Sequence, residues 1–160
     1  MSAKSTDRII FLDVDGPLIP NSMFLVDPLA SIKRLFPVTT IAVLNKIIKT
    51  TNAKIVMNTT HNKPYDNQTE DIVDALIRNG VPHESFHAVP KTQFPAYDRL
   101  ASIRLWLADH GSINDEEWIV LDDVTFHHRV IYIDPDTGLT LKHLDLVCHK
   151  FHIDPPVILI

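Results

Sequence analysis

The chain carries two aspartates, Asp13 and Asp15, at the end of an unbroken apolar run. Residues 9–16 read Ile-Ile-Phe-Leu-Asp-Val-Asp-Gly. Carboxylates two positions apart share the rim of a turn, and crowded carboxylates repel each other unless a cation or a shared proton relieves them. Mg²⁺ is a hard ion that proteins bind through one or two carboxylates together with substrate phosphate. The pair therefore predicts a cation site or a shared proton, with Mg²⁺ as the natural candidate for the cation.

The residues before the acids predict where the acids lie. The run Ile9–Leu12 is apolar on both faces, which is typical of a central strand in a parallel sheet covered by helices. Ligands of open α/β sheets bind outside the carboxyl ends of the strands, and this strand delivers Asp13 to that position. Gly16 allows the backbone to turn sharply there. An ordinary structural turn and a calcium loop are the alternatives. Residues 17–20 argue against the second, because they supply none of the further oxygen ligands of an EF-hand.

Alternating strand and helix patterns predict an α/β fold, a doubly wound, mainly parallel sheet of about five strands with flanking helices. The predicted strands cover residues 9–13, 54–58, 86–89, 118–122 and 130–133. The predicted helices cover residues 39–51, 67–79, 96–110 and 141–150. Thr39 is the expected N-cap of the first helix, and Gly80 and Gly111 are expected to end the second and third. Cys148 is expected to be half-buried in the last helix.

Composition bounds the class of protein. A chain of 160 residues that is 45% hydrophobic predicts one domain, residues 1–160, with ample core material. No apolar run approaches the roughly 18 residues of a membrane span, and no secretory signal is visible. The single cysteine excludes an internal disulfide and fits a cytoplasmic location. The net charge of −5 and the absence of a basic run predict that any nucleic acid is bound through local contacts and not through a broad basic surface.

Residues 9–16 resemble the first motif of the haloacid dehalogenase (HAD) superfamily of phosphohydrolases. The second predicted strand runs into a segment similar to the second motif, which is an apolar strand that ends in Ser or Thr. The motif hydroxyl is assigned to Thr59, and Asn58 is the alternative register. The family often has Trp and Arg after this motif, whereas this chain has His61 and Asn62.

Two later segments resemble the remaining motifs, in the family's order. The stretch 99–107 is similar to the helix of the third, basic motif, although Ser102 stands where the family tends to have Glu. The fourth predicted strand ends in Asp122 and Asp123, similar to the fourth motif. Together with the Asp-Pro-Asp-Thr-Gly-Leu-Thr segment at 134–140, the spacing looks most like the small HAD domains grouped with RNA-repair proteins.

The resemblance implies a role for each acid. Asp13 would be the nucleophile that forms an aspartyl-phosphate, and Asp15 would protonate the leaving alkoxide and later activate water. Mg²⁺ would be held by Asp13, the Asp15 carbonyl and an acid of the fourth motif. Asp122 is favoured as the direct ligand, and Asp123 is the close alternative.

Further residues are implied to contact phosphate or substrate. Thr59, aided by the backbone N–H of Thr60, would hydrogen-bond a phosphate oxygen. The basic residue is either Arg99, which matches the family's helix best, or Lys91. Contact with substrate is considered for two histidines, His61 and His127. A metal site at His127 and His128 is disfavoured, because adjacent residues on a strand face opposite sides.

The connections between the motifs are too short for an inserted cap domain. The resemblance therefore implies a capless or minimally capped member, whose open site admits a polymer end. Segment 17–37 is the candidate lid, and packing of this segment on the core is the alternative. The sequence does not indicate the oligomeric state or the role of the apolar tail, residues 151–160.

These features predict a magnesium-dependent phosphomonoesterase whose phosphorylated substrate is an RNA or DNA end or a nucleotide. A phosphatase for a small metabolite is the alternative within enzymes. A catalytically silent module that binds phosphate or a partner is the alternative from another class, because a fold does not imply a function. No membrane partner is predicted.

Overall fold

The predicted α/β sheet is confirmed. A computed structural model describes residues 7–59, 68–93, 98–111 and 114–158. Its five strands are all parallel, in the order β3-β2-β1-β4-β5. They are β1 Ile9–Leu12, β2 Lys54–Met57, β3 Phe86–Lys91, β4 Trp118–Asp122 and β5 Val130–Tyr132. The direction of winding reverses between β1 and β4, and ligands of such sheets bind at the carboxyl ends of the strands at this point.

Within the described residues, five α-helices connect or follow the strands: α1 Met23–Val26, α2 Val38–Thr51, α3 Gln68–Arg78, α4 Arg99–His110 and α5 Leu141–Lys150. Thr39 is not the N-cap of α2. Pro37 takes that position with a non-helical ψ of 139°, and the helix begins at Val38, so Thr39 lies inside its first turn. The predicted start of α4 near residue 96 is also wrong. The Asp98 side chain accepts a hydrogen bond from the N–H of Ala101 and caps the helix at 98.

The two faces of the sheet are covered by different helices. Residues of α2, α3 and α5 pack with Ile10 and Leu12 of β1, whereas residues of α4 pack with Ile9 and Phe11. Side chains along a strand alternate between the two faces, so Asp13 continues the series of Ile9 and Phe11 and points toward α4. Cys148 is fully buried in the first cluster, so the expectation of half-burial is wrong.

Segment 17–37 has one packed face and one exposed face. Ala30 and Phe36 are buried, and Met23 packs against the same core. Leu25 and Ile32 are 91% and 76% exposed, so the outer face is apolar and open to solvent. The inner face of the segment therefore packs on the core, as one of the two interpretations predicted. Closure of the segment as a lid stays a prediction.

Segment 134–140 braces the turn that follows the two acids. The backbone N–H of Leu139 donates to the carbonyl of Pro17, and the Asn21 side chain donates to Asp136. Gly138 has a φ of +70°, and a Cβ there would lie 3.1 Å from the Pro17 carbonyl oxygen. This close approach explains why a glycine stands at this position.

Among the helices that the structure describes, none combines the length and the apolar character that a membrane crossing requires.

Candidate active site

Three carboxylates converge at the carboxyl ends of β1 and β4. Asp13 follows β1 directly, Asp122 is the last residue of β4, and Asp123 comes next. One oxygen from each carboxylate lies within 4.8 Å of the other two. The backbone explains the convergence, because the N–H of Asp13 donates to the carbonyl of Leu121 and sets the two strand ends side by side.

Gly16 allows the third acid to approach the turn after Asp15. A Cβ at Gly16 would lie 2.9 Å from Oδ2 of Asp123, and the residue has a φ of +100°. A side chain at this position would therefore meet both backbone strain and a clash with the carboxylate. The glycine that the sequence suggested for a sharp turn thus also makes room for Asp123.

Arg99 joins two of the acids. Its Nη1 atom lies 2.6 and 2.5 Å from the two carboxylate oxygens of Asp122 and 3.3 Å from Oδ2 of Asp13. The residue is the first of α4, and the hydroxyl of Ser102 donates to the Asp98 carbonyl and braces that first turn. Ser102, which departs from the family pattern, therefore supports the helix start that carries the guanidinium.

Burial, together with the crowding of the acids, raises two pKa values. Burial, followed by the negative charge of Asp122, raises the pKa of Asp13 to about 7, although Arg99 acts in the opposite direction. Burial raises the pKa of Asp122 to about 6 against the opposing effect of Arg99. One guanidinium therefore does not fully compensate the buried negative charge, and the cluster retains attraction for a second cation.

Mg²⁺ fits this donor set. Asp13, Asp122 and Asp123 offer only carboxylate oxygens, which are the hard ligands that Mg²⁺ prefers, and the raised pKa values of Asp13 and Asp122 are consistent with uncompensated negative charge. Arg99 contacts the same carboxylates, so a bound ion and the guanidinium would share Asp122 and Asp13.

The acid cluster predicts an unusual pH dependence of stability for the metal-free protein. Because the folded pKa of Asp13 is about 7 and its ordinary value is 3.8, the folded state binds more protons than the unfolded state between these values. The free energy of unfolding should therefore fall as the pH rises from 3.8 to about 7, by on the order of 4 kcal/mol. Urea unfolding in a chelating buffer at several pH values measures it.

Asp13→Asn and Asp109→Asn form the matched pair for this measurement. Asp109 is exposed on α4, so its substitution should leave the pH profile unchanged. Asp13→Asn should flatten the profile and stabilise the metal-free protein above pH 7, because it removes one of the crowded charges. A profile of Asp13→Asn as steep as that of the wild type would contradict the assignment.

The second-motif segment lies beside Asp13. The register pairs Leu12 with Met57, and the N–H of Asn58 donates to the Leu12 carbonyl, so Asn58 stands level with Asp13. Asn58 is fully buried. Its Oδ1 accepts a hydrogen bond from Thr92 at 2.7 Å, whereas its Nδ2 has no hydrogen-bond partner among the described residues. Asn58 directly follows β2, just as Asp13 directly follows β1. This position in the sequence is the feature that indicates Asn58 as a site residue.

Whether Thr59 or Asn58 is the phosphate-binding residue of the second motif therefore stays open. Thr59, one residue beyond Asn58, is 1% exposed. Thr60 and His61 lie outside the described residues, so their predicted contacts with phosphate and substrate stay predictions.

Lys91 forms its ion pair with a residue outside the acid cluster. At the end of β3, its Nζ lies 2.6 Å from Oε1 of Glu70 on α3, in an exposed ion pair. The structure therefore brings Arg99, and not Lys91, into contact with the acid cluster.

His127 lies near the start of β4, the end opposite to Asp122. Its ring is 5.3 Å from that of Trp118, and it is not brought to the acid cluster. It lies in a turn, and its ring centroid is 4.2 Å from that of His128. The expectation that the two histidines face opposite sides of a strand is therefore wrong.

The histidine pair and Asp115 group ligand atoms within 4.8 Å. However, Nδ1 of His127 accepts a hydrogen bond from the Arg129 N–H, so Nε2 carries the proton of the neutral ring. Neither nitrogen of His127 then offers a free lone pair to a metal ion.

Asp15 points toward segment 17–37. Its Oδ1 accepts a hydrogen bond of 2.7 Å from the hydroxyl of Ser31, a residue that the motif comparison did not single out. No sequence motif marks this contact, because it depends on how an irregular segment folds back over the strand end.

Comparison with known families adds one finding. A family model described as the HAD domain in Swiss Army Knife RNA repair proteins matches residues 9–144, a range that contains every residue of the acid cluster together with Arg99 and Asn58. No curated protein and no solved structure matched the chain.

Proposed function

The chain belongs to the family of HAD domains in Swiss Army Knife RNA repair proteins, and from this membership and the site geometry we propose that it is a magnesium-dependent phosphomonoesterase. The observation that carries the proposal is the convergence of Asp13, Asp122 and Asp123 with Arg99 at the carboxyl ends of β1 and β4. Phosphoryl transfer needs a nucleophile, a proton donor and positive charge around the phosphoryl oxygens.

In the proposed reaction, Asp13 attacks the phosphorus of the substrate and forms an aspartyl-phosphate as the bond to the leaving oxygen breaks. Asp15 gives its proton to that oxygen, so the product departs as an alcohol. A water molecule then attacks the phosphorus and returns a proton to Asp15. Inorganic phosphate leaves, and the Asp13 carboxylate is restored.

Positive charge comes from two sources. Arg99, which already contacts Asp13 and Asp122, orients the nucleophile and attracts the phosphoryl oxygens. Mg²⁺ would be held by Asp13, the Asp15 carbonyl, and Asp122 or Asp123, and when bound it neutralises negative charge on the phosphoryl group. Thr59, with Asn58 as the alternative, and the Thr60 N–H would donate hydrogen bonds to phosphate oxygens.

We propose a nucleic-acid end, with a terminal 3′- or 5′-phosphate, as the substrate, and a nucleotide as the next choice. The family description names RNA repair proteins, and the connections of the sheet leave no inserted cap domain among the described residues. An uncapped site can admit the end of a polymer. The buried cysteine, Cys148, fits the reducing cytoplasm in which we place the reaction.

A substrate panel tests this proposal. Phosphate release is compared for a 3′-phosphorylated oligoribonucleotide, its 5′-phosphorylated counterpart, a mononucleotide and a sugar phosphate, each with and without Mg²⁺. We expect kcat/KM to be about ten-fold or more higher for one of the oligonucleotides than for the sugar phosphate, because only a polymer end contacts the surface around the site. Equal values for all four would contradict the nucleic-acid assignment.

A phosphate- or partner-binding module is the alternative function. The specific observation in its favour is that Arg99 already pairs with both oxygens of Asp122, a candidate metal ligand. Such a module would bind phosphorylated ligands without turnover, with or without the Asp13 carboxylate.

A further inference from the structure

A side chain from segment 17–37 donates a hydrogen bond to the carboxylate of Asp15. The hydroxyl of Ser31 donates to Oδ1 of Asp15 at 2.7 Å, across 16 residues of sequence. Both residues are half-buried, so bulk water does not fully solvate the contact. A general acid must hold its proton within hydrogen-bond reach of the leaving oxygen, and that requires a fixed side-chain orientation.

Ser31 is itself fixed by its neighbours. The carbonyl of Ser31 accepts hydrogen bonds from the backbone N–H of Arg34 at 3.2 Å and from its Nη1 at 2.8 Å. Arg34 adopts a left-handed backbone with a φ of 56°, which a non-glycine residue rarely does and which closes this short turn. Ala30, directly before Ser31, is fully buried and anchors the turn on the core.

We propose that Ser31 is a positioning residue for Asp15, a role that rests on the proposed phosphatase function. In the proposed reaction, Oδ1 accepts the hydrogen bond from Ser31 and Oδ2 carries the transferable proton of Asp15. Oδ2 gives that proton to the leaving oxygen as the bond from phosphorus to that oxygen breaks. In the second step, Oδ2 takes a proton from the attacking water, so the cycle balances without a further reactant.

The dependence on the leaving group distinguishes positioning from a general structural role. A nitrophenolate leaves as the anion and gains little from a proton donor, whereas an alkoxide needs the proton. Ser31→Ala should therefore lower kcat/KM about ten-fold for cyclohexyl phosphate and no more than about two-fold for 4-nitrophenyl phosphate. kcat/KM is used because it reports transfer to Asp13 and is unaffected by later hydrolysis.

Two further variants complete the experiment. Ser31→Thr keeps the hydroxyl and should keep the wild-type ratio between the two substrates. Ser22→Ala removes an exposed hydroxyl that makes no cap hydrogen bond in the same segment, and it should change neither value. Thermal melting of all three variants shows whether the fold is kept.

Equal losses on both substrates for Ser31→Ala, or no loss on either, would overturn the positioning role while leaving the phosphatase in place. A wild-type protein that hydrolyses neither phosphate would overturn the phosphatase function, and the role of Ser31 with it.

Discussion

Substitution of Asp13 by Asn should abolish phosphate release, with a loss in kcat of about 10⁴-fold or more. An amide oxygen is a poor nucleophile, and no other carboxylate is placed to replace Asp13 at the end of β1 within the described residues. The measurement is release of 4-nitrophenolate from 4-nitrophenyl phosphate at saturating Mg²⁺, which detects the first chemical step without a nucleic-acid substrate.

The matched control is Asp109→Asn, which makes the same chemical change at an exposed position on α4. Its activity should equal that of the wild type. Asp13→Asn should remain folded, because the substitution removes a crowded charge and not a packing contact. Turnover by Asp13→Asn within ten-fold of the wild type would show that the nucleophile is another group.

Removal of Arg99 has the second largest expected effect. Arg99→Met should lower kcat/KM by about 10²–10³-fold, because a preorganised positive charge near the transferring phosphoryl group is lost. The ion pairs with Asp122 and Asp13 are lost as well, so the metal-free variant should melt at a lower temperature than the wild type. Activity is therefore measured at saturating Mg²⁺ with melting curves under the same conditions.

Lys91→Met is the informative comparison. Lys91 was the rival basic residue in the sequence, but its ammonium pairs with Glu70 at an exposed site. Its loss should change kcat/KM by no more than about three-fold, since exposed ion pairs contribute little. Arg99→Lys should recover part of the activity, because a single nitrogen of Arg99 makes all the contacts with the two acids. A larger loss for Lys91→Met than for Arg99→Met would reverse the assignment.

Much of the fold follows from local patterns. The continuous apolar runs at 9–12 and 118–121 predict buried parallel strands, and both are central in the sheet. The same reasoning places Asp13 and Asp122 at the carboxyl ends of their strands, whereas the pairing of these two strands is known only from the structure. Helix starts were less predictable, because the N-cap of α2 lies at Pro37, two residues before Thr39, and local backbone geometry decides such small differences.

The remaining features depend on long-range contacts that periodicity does not encode. The hydrogen bond from Ser31 to Asp15 arises in an irregular segment whose path is set by burial of Ala30 and Phe36. The placement of His127 depends on the turn before β5, which returns the chain toward the start of β4. The choice between Arg99 and Lys91 required the distances to the acids, because both residues are basic and lie near the third motif.

Covalent phosphorylation of Asp13 is the central claim, and Asp15→Asn tests it most directly. With 4-nitrophenyl phosphate and Mg²⁺, this variant should form the phosphoenzyme but hydrolyse it slowly, because the base that activates water is absent. The sample is quenched in acid, digested and mapped by mass spectrometry. We predict one phosphoryl group, labile to hydroxylamine, on the peptide that contains Asp13, with a matching burst of nitrophenolate. Nitrophenolate release with no phosphorylated peptide, or with phosphate on another residue, would contradict the mechanism.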